Sequence, residues 1–154
     1  MRNAAYALPF FVSKSITLDS ISIVVQTLAA GNARIGIRNA PYDTNPNGGT
    51  TLIVDCGTVS VGTTGVKTIT GLARTLDPGR YIINIVSDVA PSIYGTTAAL
   101  APPHMTQLIG SGGWTSYGQR YRAFTYAALP ADESGQSYTL SNNVSFPAAS
   151  MTVV

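Results

Sequence analysis

Residues 65–88, read GVKTITGLARTLDPGRYIINIVSD, restrict what this chain can fold into more than any other stretch. They read as a strand, a forced turn and a second strand. Val66, Ile69 and Leu72 lead into Leu76, and Asp77-Pro78-Gly79 then reverses the chain. Proline presets φ for the second position of a turn, and glycine takes a positive φ at the third without steric cost, so Gly79 is expected at positive φ. Beyond the turn, Tyr81, Ile83 and Ile85 alternate with Arg80, Ile82, Asn84 and Val86. A period of two, rich in β-branched and aromatic residues, marks a half- to fully buried strand. The stretch holds no catalytic chemistry and speaks to architecture first.

The rest of the chain keeps the same rhythm. Residues 6–12 form a short strand that Pro9 confines to a sheet edge or strand end. Residues 15–28 carry the longest strand pattern, with Ile21, Ile23 and Val25 on one face and Ser20, Ser22 and Gln26 on the other. After Gly31-Asn32, Ala33, Ile35 and Ile37 oppose Arg34, Gly36 and Arg38, and the two segments are expected to pair as a hairpin. Residues 39–51, with two prolines, two glycines and three asparagines, read as a loop. Residues 52–54 and 58–61 read as two short strands. Residues 87–119 form one long irregular loop, too apolar for a free linker, since they include Ile93, Tyr94, Trp114 and Tyr117. Strand alternation resumes over 120–126, residues 129–137 read as loop, and 138–146 and 151–154 can close the sheets. Short strands between turns, with no helical period, indicate an all-β chain: a single antiparallel β-sandwich of jelly-roll type over residues 1–154.

The order YALPFFVSKSITLDSISIVVQT (6–27), ARIGIRNA (33–40), LIVDCGTVSVGTTGVKTI (52–69) and LDPGRYIINIVS (76–87) carries a resemblance. It resembles a β-sandwich domain common at the C-terminal ends of bacteriophage tail-fibre and related virion surface proteins. There an N-terminal segment ending in a Pro-aromatic pair, here Pro9-Phe10, leads into a long strand of alternating Ile and Val. The match covers roughly residues 5–88 and continues more weakly through Ala128-Leu129-Pro130. Family members usually carry the domain behind a fibrous trunk, whereas this chain reaches its first strand almost at Met1. The resemblance implies a location on the outer surface of a virion.

Composition adds constraints on partners. Charged residues are 10% of the 154, against about 25% in an average domain. So charge-poor a surface suits coverage by identical copies or by a larger assembly, and a homo-oligomer, in the first instance a trimer, is expected. The nine basic residues are scattered and the net charge is +2, which gives no track for phosphates and excludes nucleic-acid binding. No apolar run is long enough for a membrane span. Pro9, Ser13 and Lys14 break any signal-peptide core. Cys56, the one cysteine, reads as a small buried residue rather than a nucleophile.

Candidate chemistry is sparse. His104 is the one histidine and lies in Pro102-Pro103-His104-Met105 without a serine elbow. One His and one Cys far apart fall short of a zinc site, no calcium-loop pattern occurs, and no cofactor is indicated. The adjacent acids Asp132-Glu133 lie in a loop, and no recognisable acid pair supports a glycosidase. The distinctive set is aromatic and basic: Trp114, Tyr117, Arg120, Tyr121 and Arg122, with Phe10 and Phe11 in the N-terminal segment. Rings flanked by arginine suit a protein interface, a sugar platform, or the filling of a core, and all three readings stay open. The expectation is a non-enzymatic virion structural protein that decorates and stabilises a phage capsid, with the major capsid protein or other virion proteins as partners. The alternative is a receptor- or carbohydrate-binding module of a tail fibre or head spike, meeting a host-surface glycan.

Overall fold

A computed structural model describes residues 3–41, 49–97, 120–140, 145–147 and 149–154. In chain order the strands are β1 (Ala4–Val12), β2 (Ile16–Thr27), β3 (Asn32–Asn39), β4 (Leu52–Ser60), β5 (Gly65–Ile69), β6 (Arg74–Leu76) and β7 (Gly79–Ser87). They continue with β8 (Ser92–Ile93), β9 (Gly95–Thr97), β10 (Arg120–Ala123), β11 (Thr139–Leu140), β12 (Ser145–Pro147) and β13 (Ala149–Val153). Among the described residues there is no helix, and every strand pairing is antiparallel. One sheet runs β11-β10-β1-β7-β3-β4; a second runs β13-β2-β5, with β6 and β8 also on β2; β9 and β12 form a small ribbon.

The two large sheets face each other as a sandwich, as the alternating pattern requires. Leu18, Ile21, Ile23 and Val25 of β2 meet Ala33, Ile35 and Ile37 of β3 and Ile83 and Ile85 of β7 in one core. Each such aliphatic side chain taken from water contributes about 1.5–3 kcal/mol, which is why the two apolar stripes face one another. That geometry overturns the hairpin expected between β2 and β3. Their apolar faces meet across the core, so the strands belong to opposite sheets, and residues 28–31 form a corner held by Ala29 N–H to Val61 O (3.1 Å) and Val61 N–H to Gly31 O (2.9 Å).

The turn at Asp77-Pro78-Gly79 is corrected in the same way. Leu76 ends β6 in the second sheet and Gly79 opens β7 in the first, so the turn carries the chain between layers instead of closing a hairpin. A corner between stacked sheets spans about 10 Å and does not need the tight reversal that demands a positive φ. Gly79 accordingly lacks one; positive φ falls instead on Gly57 (100°), Gly65 (94°) and Gly71 (73°). Gly71 lies in a bulge. β5 pairs with β2 from Val25↔Gly65 to Ile21↔Ile69, and β6 resumes along it from Leu18↔Arg74 to Ile16↔Leu76. Residues 70–73 are extruded between, and the buried parity of β2 switches there from Ile21 to Leu18.

Residues 52–54 and 58–61 also prove to be one strand, β4, kept continuous by a bulge at Gly57 that leaves Cys56 7% exposed against the core. Pro9 stands where its chemistry requires. β10 pairs with β1 only as far as Ala7, so Pro9 has β7 alone beside it among the described residues. The long loop expected over 87–119 begins with two strand pieces, β8 and β9; its remainder, with His104, Trp114 and Tyr117, lies outside the described residues.

Candidate functional site

On β7, eight consecutive residues from Arg80 to Ser87 are buried, so both faces of this strand are covered. Its inner face meets the second sheet. Its outer face, with Arg80, Ile82, Asn84 and Val86, lies among Ala5 and Ala7 of β1, Gly36 and Arg38 of β3, and Arg122 of β10. Those small residues leave a hollow, and residues 124–138 fill it as a strap. Leu129 packs with Ala5 and Val86, and Tyr138 with Ala7, Ala40 and Ile82. A Cβ on Gly36 would stand 2.4 Å from Leu129 Cδ1, so glycine at this position is what admits the strap. Backbone pairing ties its middle to β4: Leu52 N–H to Ala131 O at 2.8 Å and Glu133 N–H to Thr50 O at 3.2 Å.

Beneath the strap is a closed polar cluster. Arg38, wholly buried, donates from Nε to Asn84 Oδ1 (2.7 Å), from Nη1 to Thr50 O (3.0 Å) and from Nη2 to Pro130 O (2.6 Å). Its Nη2 also lies 3.3 Å from Glu133 Oε1, which accepts a charged hydrogen bond from Arg122 Nη2. Tyr138 donates its hydroxyl proton to Glu133 Oε2 and accepts from Arg122 Nε and Asn84 Nδ2, both at 3.3 Å. Asn84 Nδ2 reaches Tyr6 O as well, at 3.2 Å. The Arg122 guanidinium lies over the Phe124 ring at 4.7 Å and the Tyr138 ring at 5.7 Å. One carboxylate thus holds one buried cation, Arg38, and one partly buried, Arg122, and segments distant in sequence converge on it.

The electrostatics follow from that arrangement. Burial, joined by the hydrogen bond to the Glu133 carboxylate, pushes the Tyr138 hydroxyl up to about 12. Burial lowers Arg38 from its ordinary value, against the opposing pull of Glu133. For Arg122 burial acts downward, but the hydrogen bonds to Glu133 and Tyr138 and the carboxylate charge outweigh it, leaving the group raised. Buried carboxylate–arginine clusters of this kind hold only while every partner is in place. Among these groups the tyrosine has no tendency to ionise near neutrality, and the carboxylate oxygens are already accepting. The cluster is equipped to clamp the strap.

The residues singled out in the sequence separate. Arg122 joins the cluster, and Arg120 donates to Tyr138 O at 3.4 Å, so both serve the strap. Tyr121 points to the other side of β10, 38% exposed, with its ring 6.2 Å from that of Tyr6. Phe10 faces inward and stacks on Tyr81 at 5.6 Å, which makes it core. Phe11 is 50% exposed and borders an open cavity of about 490 Å³ with Val12, Asn39, Pro41, Gly79 and Arg80. Asp132 and Glu133, adjacent in sequence, diverge. Asp132 stays in solvent and accepts from Ser134 N–H and Oγ, both at 2.9 Å, and these bonds hold its carboxyl below the usual range. Glu133 turns under the strap. Among the described residues no three His, Cys, Asp or Glu gather as a metal site. Burial, with the nearby Asp55 charge, pushes the Cys56 thiol up to about 12.

Sequence reasoning missed Arg38, Asn84, Glu133 and Tyr138 as a group. The available signal was the run of Ala5, Ala7 and Gly36 at positions whose parity points away from the core. Small apolar residues there announce a face that something covers. No protein-family model, curated protein or solved structure matches the chain.

Proposed function

We propose that this chain is a non-enzymatic structural protein of a phage virion, a decoration protein on the outer surface of the particle that stabilises the shell. The observation that carries the reading is the Arg38–Glu133–Arg122–Tyr138 cluster, whose charged groups engage one another beneath the strap instead of facing a substrate. A sandwich whose strap is tied to the sheet by ion pairs and hydrogen bonds suits the part of a shell fastener. The resemblance of residues 5–88 to tail-fibre-type sandwich domains and the 10% charge content support a place in an assembly of its own copies and other virion proteins. Particles stripped of the protein should lose heat or osmotic resistance and still adsorb to their host, because binding to the assembled shell stabilises it by mass action. Loss of adsorption with an equally robust shell would reject the reading.

A receptor- or carbohydrate-binding module of a tail fibre or head spike is the second reading. It is favoured by the open cavity beside Phe11, whose half-exposed ring stands across the β1–β7 pairing from Arg80, an apolar platform suited to the face of a sugar ring. Phe11→Ala should then abolish adsorption and leave shell resistance unchanged.

A further inference from the structure

One ring contact in the six-stranded sheet joins two phenols. Tyr6 of β1 and Tyr121 of β10 are direct partners across the antiparallel ladder, so both side chains leave the same face of the sheet. Their ring centroids stand 6.2 Å apart at an interplanar angle of 33°, within the contact range of an aromatic pair. The other ring pair among the described residues, Phe10 on Tyr81, holds a single phenol, whose hydroxyl donates to Asp77 O at 2.8 Å. Leu8 and Phe10, farther along that side of β1, pack on the main core. Tyr6 is only partly buried and Tyr121 is 38% exposed, so a small oxidant in solution can reach the pair.

Two phenols so placed suit one reaction. A phenol that gives an electron and a proton to a one-electron oxidant becomes a phenoxyl radical. Two phenoxyls in contact form a carbon–carbon bond between ring positions ortho to the oxygens. The two ortho hydrogens then move to the oxygens and restore both phenols. In balance, two tyrosines and one hydrogen peroxide give one dityrosine and two waters. Burial, with Tyr121 beside it, raises the Tyr6 hydroxyl, so this phenol carries its proton near neutrality and surrenders it with the electron. The Cys56 thiol is a poor competitor for the oxidant, being 7% exposed and pushed up to about 12.

The bond would fasten a narrow seam. β10 leads into the strap, yet it pairs with β1 at four positions, from Ala4↔Ala123 to Ala7↔Arg120, and the two-residue β11 is its other neighbour in the sheet. A link from Tyr6 to Tyr121 ties that edge to the sheet and closes a long loop, which constrains the unfolded chain as a disulfide does.

We propose that Tyr6 and Tyr121 are a site of oxidative cross-linking, joined as dityrosine by peroxide with a haem peroxidase or an equivalent one-electron oxidant.

Treating the full chain with hydrogen peroxide and a haem peroxidase, at high dilution to suppress coupling between chains, tests it. Wild type is compared with Tyr6→Phe, Tyr121→Phe and Tyr94→Phe, the last of which removes a more exposed phenol (54%). Wild type and Y94F should gain dityrosine fluorescence at single-chain mass. Trypsin should release residues 3–14 joined to 121–122, less two hydrogen atoms. Y6F and Y121F should lose that product, and cross-linked wild type should unfold at a higher temperature than Y121F treated in the same way. Coupling of other tyrosines alone, linkage only between chains, or an undiminished yield in Y121F overturns the site. An unfolding midpoint that the cross-link leaves unchanged overturns the fastening of β10.

Discussion

Arg38 and Glu133 meet at 3.3 Å with side chains 0% and 1% exposed, one from the outer side of a central strand and the other from the strap laid across it. Neither could occupy its place alone. A buried guanidinium without a carboxylate, or the reverse, leaves an uncompensated charge in a low-dielectric site. The pair therefore makes the strap and the sheet a single cooperative unit.

Glu133→Ala should cost about 3–5 kcal/mol, the usual penalty for breaking a buried ion cluster by removing one partner. In a chain of this length that lowers the thermal midpoint by roughly 6–20 °C. Calorimetry of the two proteins checks it, and a midpoint within a degree of wild type would show that the strap does not depend on the carboxylate.

Tyr138→Phe removes a hydroxyl that serves three partners and should cost about 1–3 kcal/mol. It also carries a pH signature. The hydroxyl is raised from its ordinary value near 10 to about 12 in the folded chain, so the unfolded state loses its proton first. The associated stability is fully present below pH 10 and is lost as the pH climbs to about 12. Urea midpoints between pH 9 and 12 should fall less steeply in Y138F than in wild type; parallel curves would contradict the assignment. The Cys56 thiol, also raised to about 12, adds a slope of the same sign to both proteins.

Gly36→Val should force Leu129 from its seat, since the added Cβ would stand 2.4 Å from Leu129 Cδ1. Overpacking of this kind costs about 1–3 kcal/mol. Leu129→Ala in the same chain should recover part of that loss, a coupling that a double-mutant cycle measures. Strictly additive effects would place the strap elsewhere.

Ala73, at φ 43°, occupies a left-handed position in the bulge between β5 and β6. A Cβ there costs about 1–2 kcal/mol, partly offset by the extra chain entropy of glycine, so Ala73→Gly should raise the unfolding midpoint slightly. Gly79→Ala should change the stability by less than about 0.5 kcal/mol, because that residue has no positive φ and its added Cβ finds ordinary contacts from 3.6 Å outward. A large loss from G79A together with a loss from A73G would reverse the assignment of the two turns.

The sandwich was legible because Ile21, Ile23 and Val25, and Ile83 and Ile85, repeat with period two, and that period alone fixes which face is buried. Sheet membership was not. Local pattern says that the chain turns at 28–31 and at 77–79, but whether a turn closes a hairpin or crosses between layers depends on which apolar faces meet, a long-range matter. The cluster was hidden for the same reason. Glu133 reads as a loop acid because Arg38, Asn84 and Arg122 lie far from it in sequence, and only the folded sheet sets them beneath it. Arg122 was singled out beside Trp114, Tyr117 and Tyr121, whereas the rings that flank its guanidinium are Phe124 and Tyr138, which belong to the strap.

The most direct test of the decoration reading is to locate the chain on its particle. Purified virions labelled with gold-conjugated antibody against the folded protein should carry label in many copies over the head. Label confined to the tail, or absent from purified particles, would contradict it.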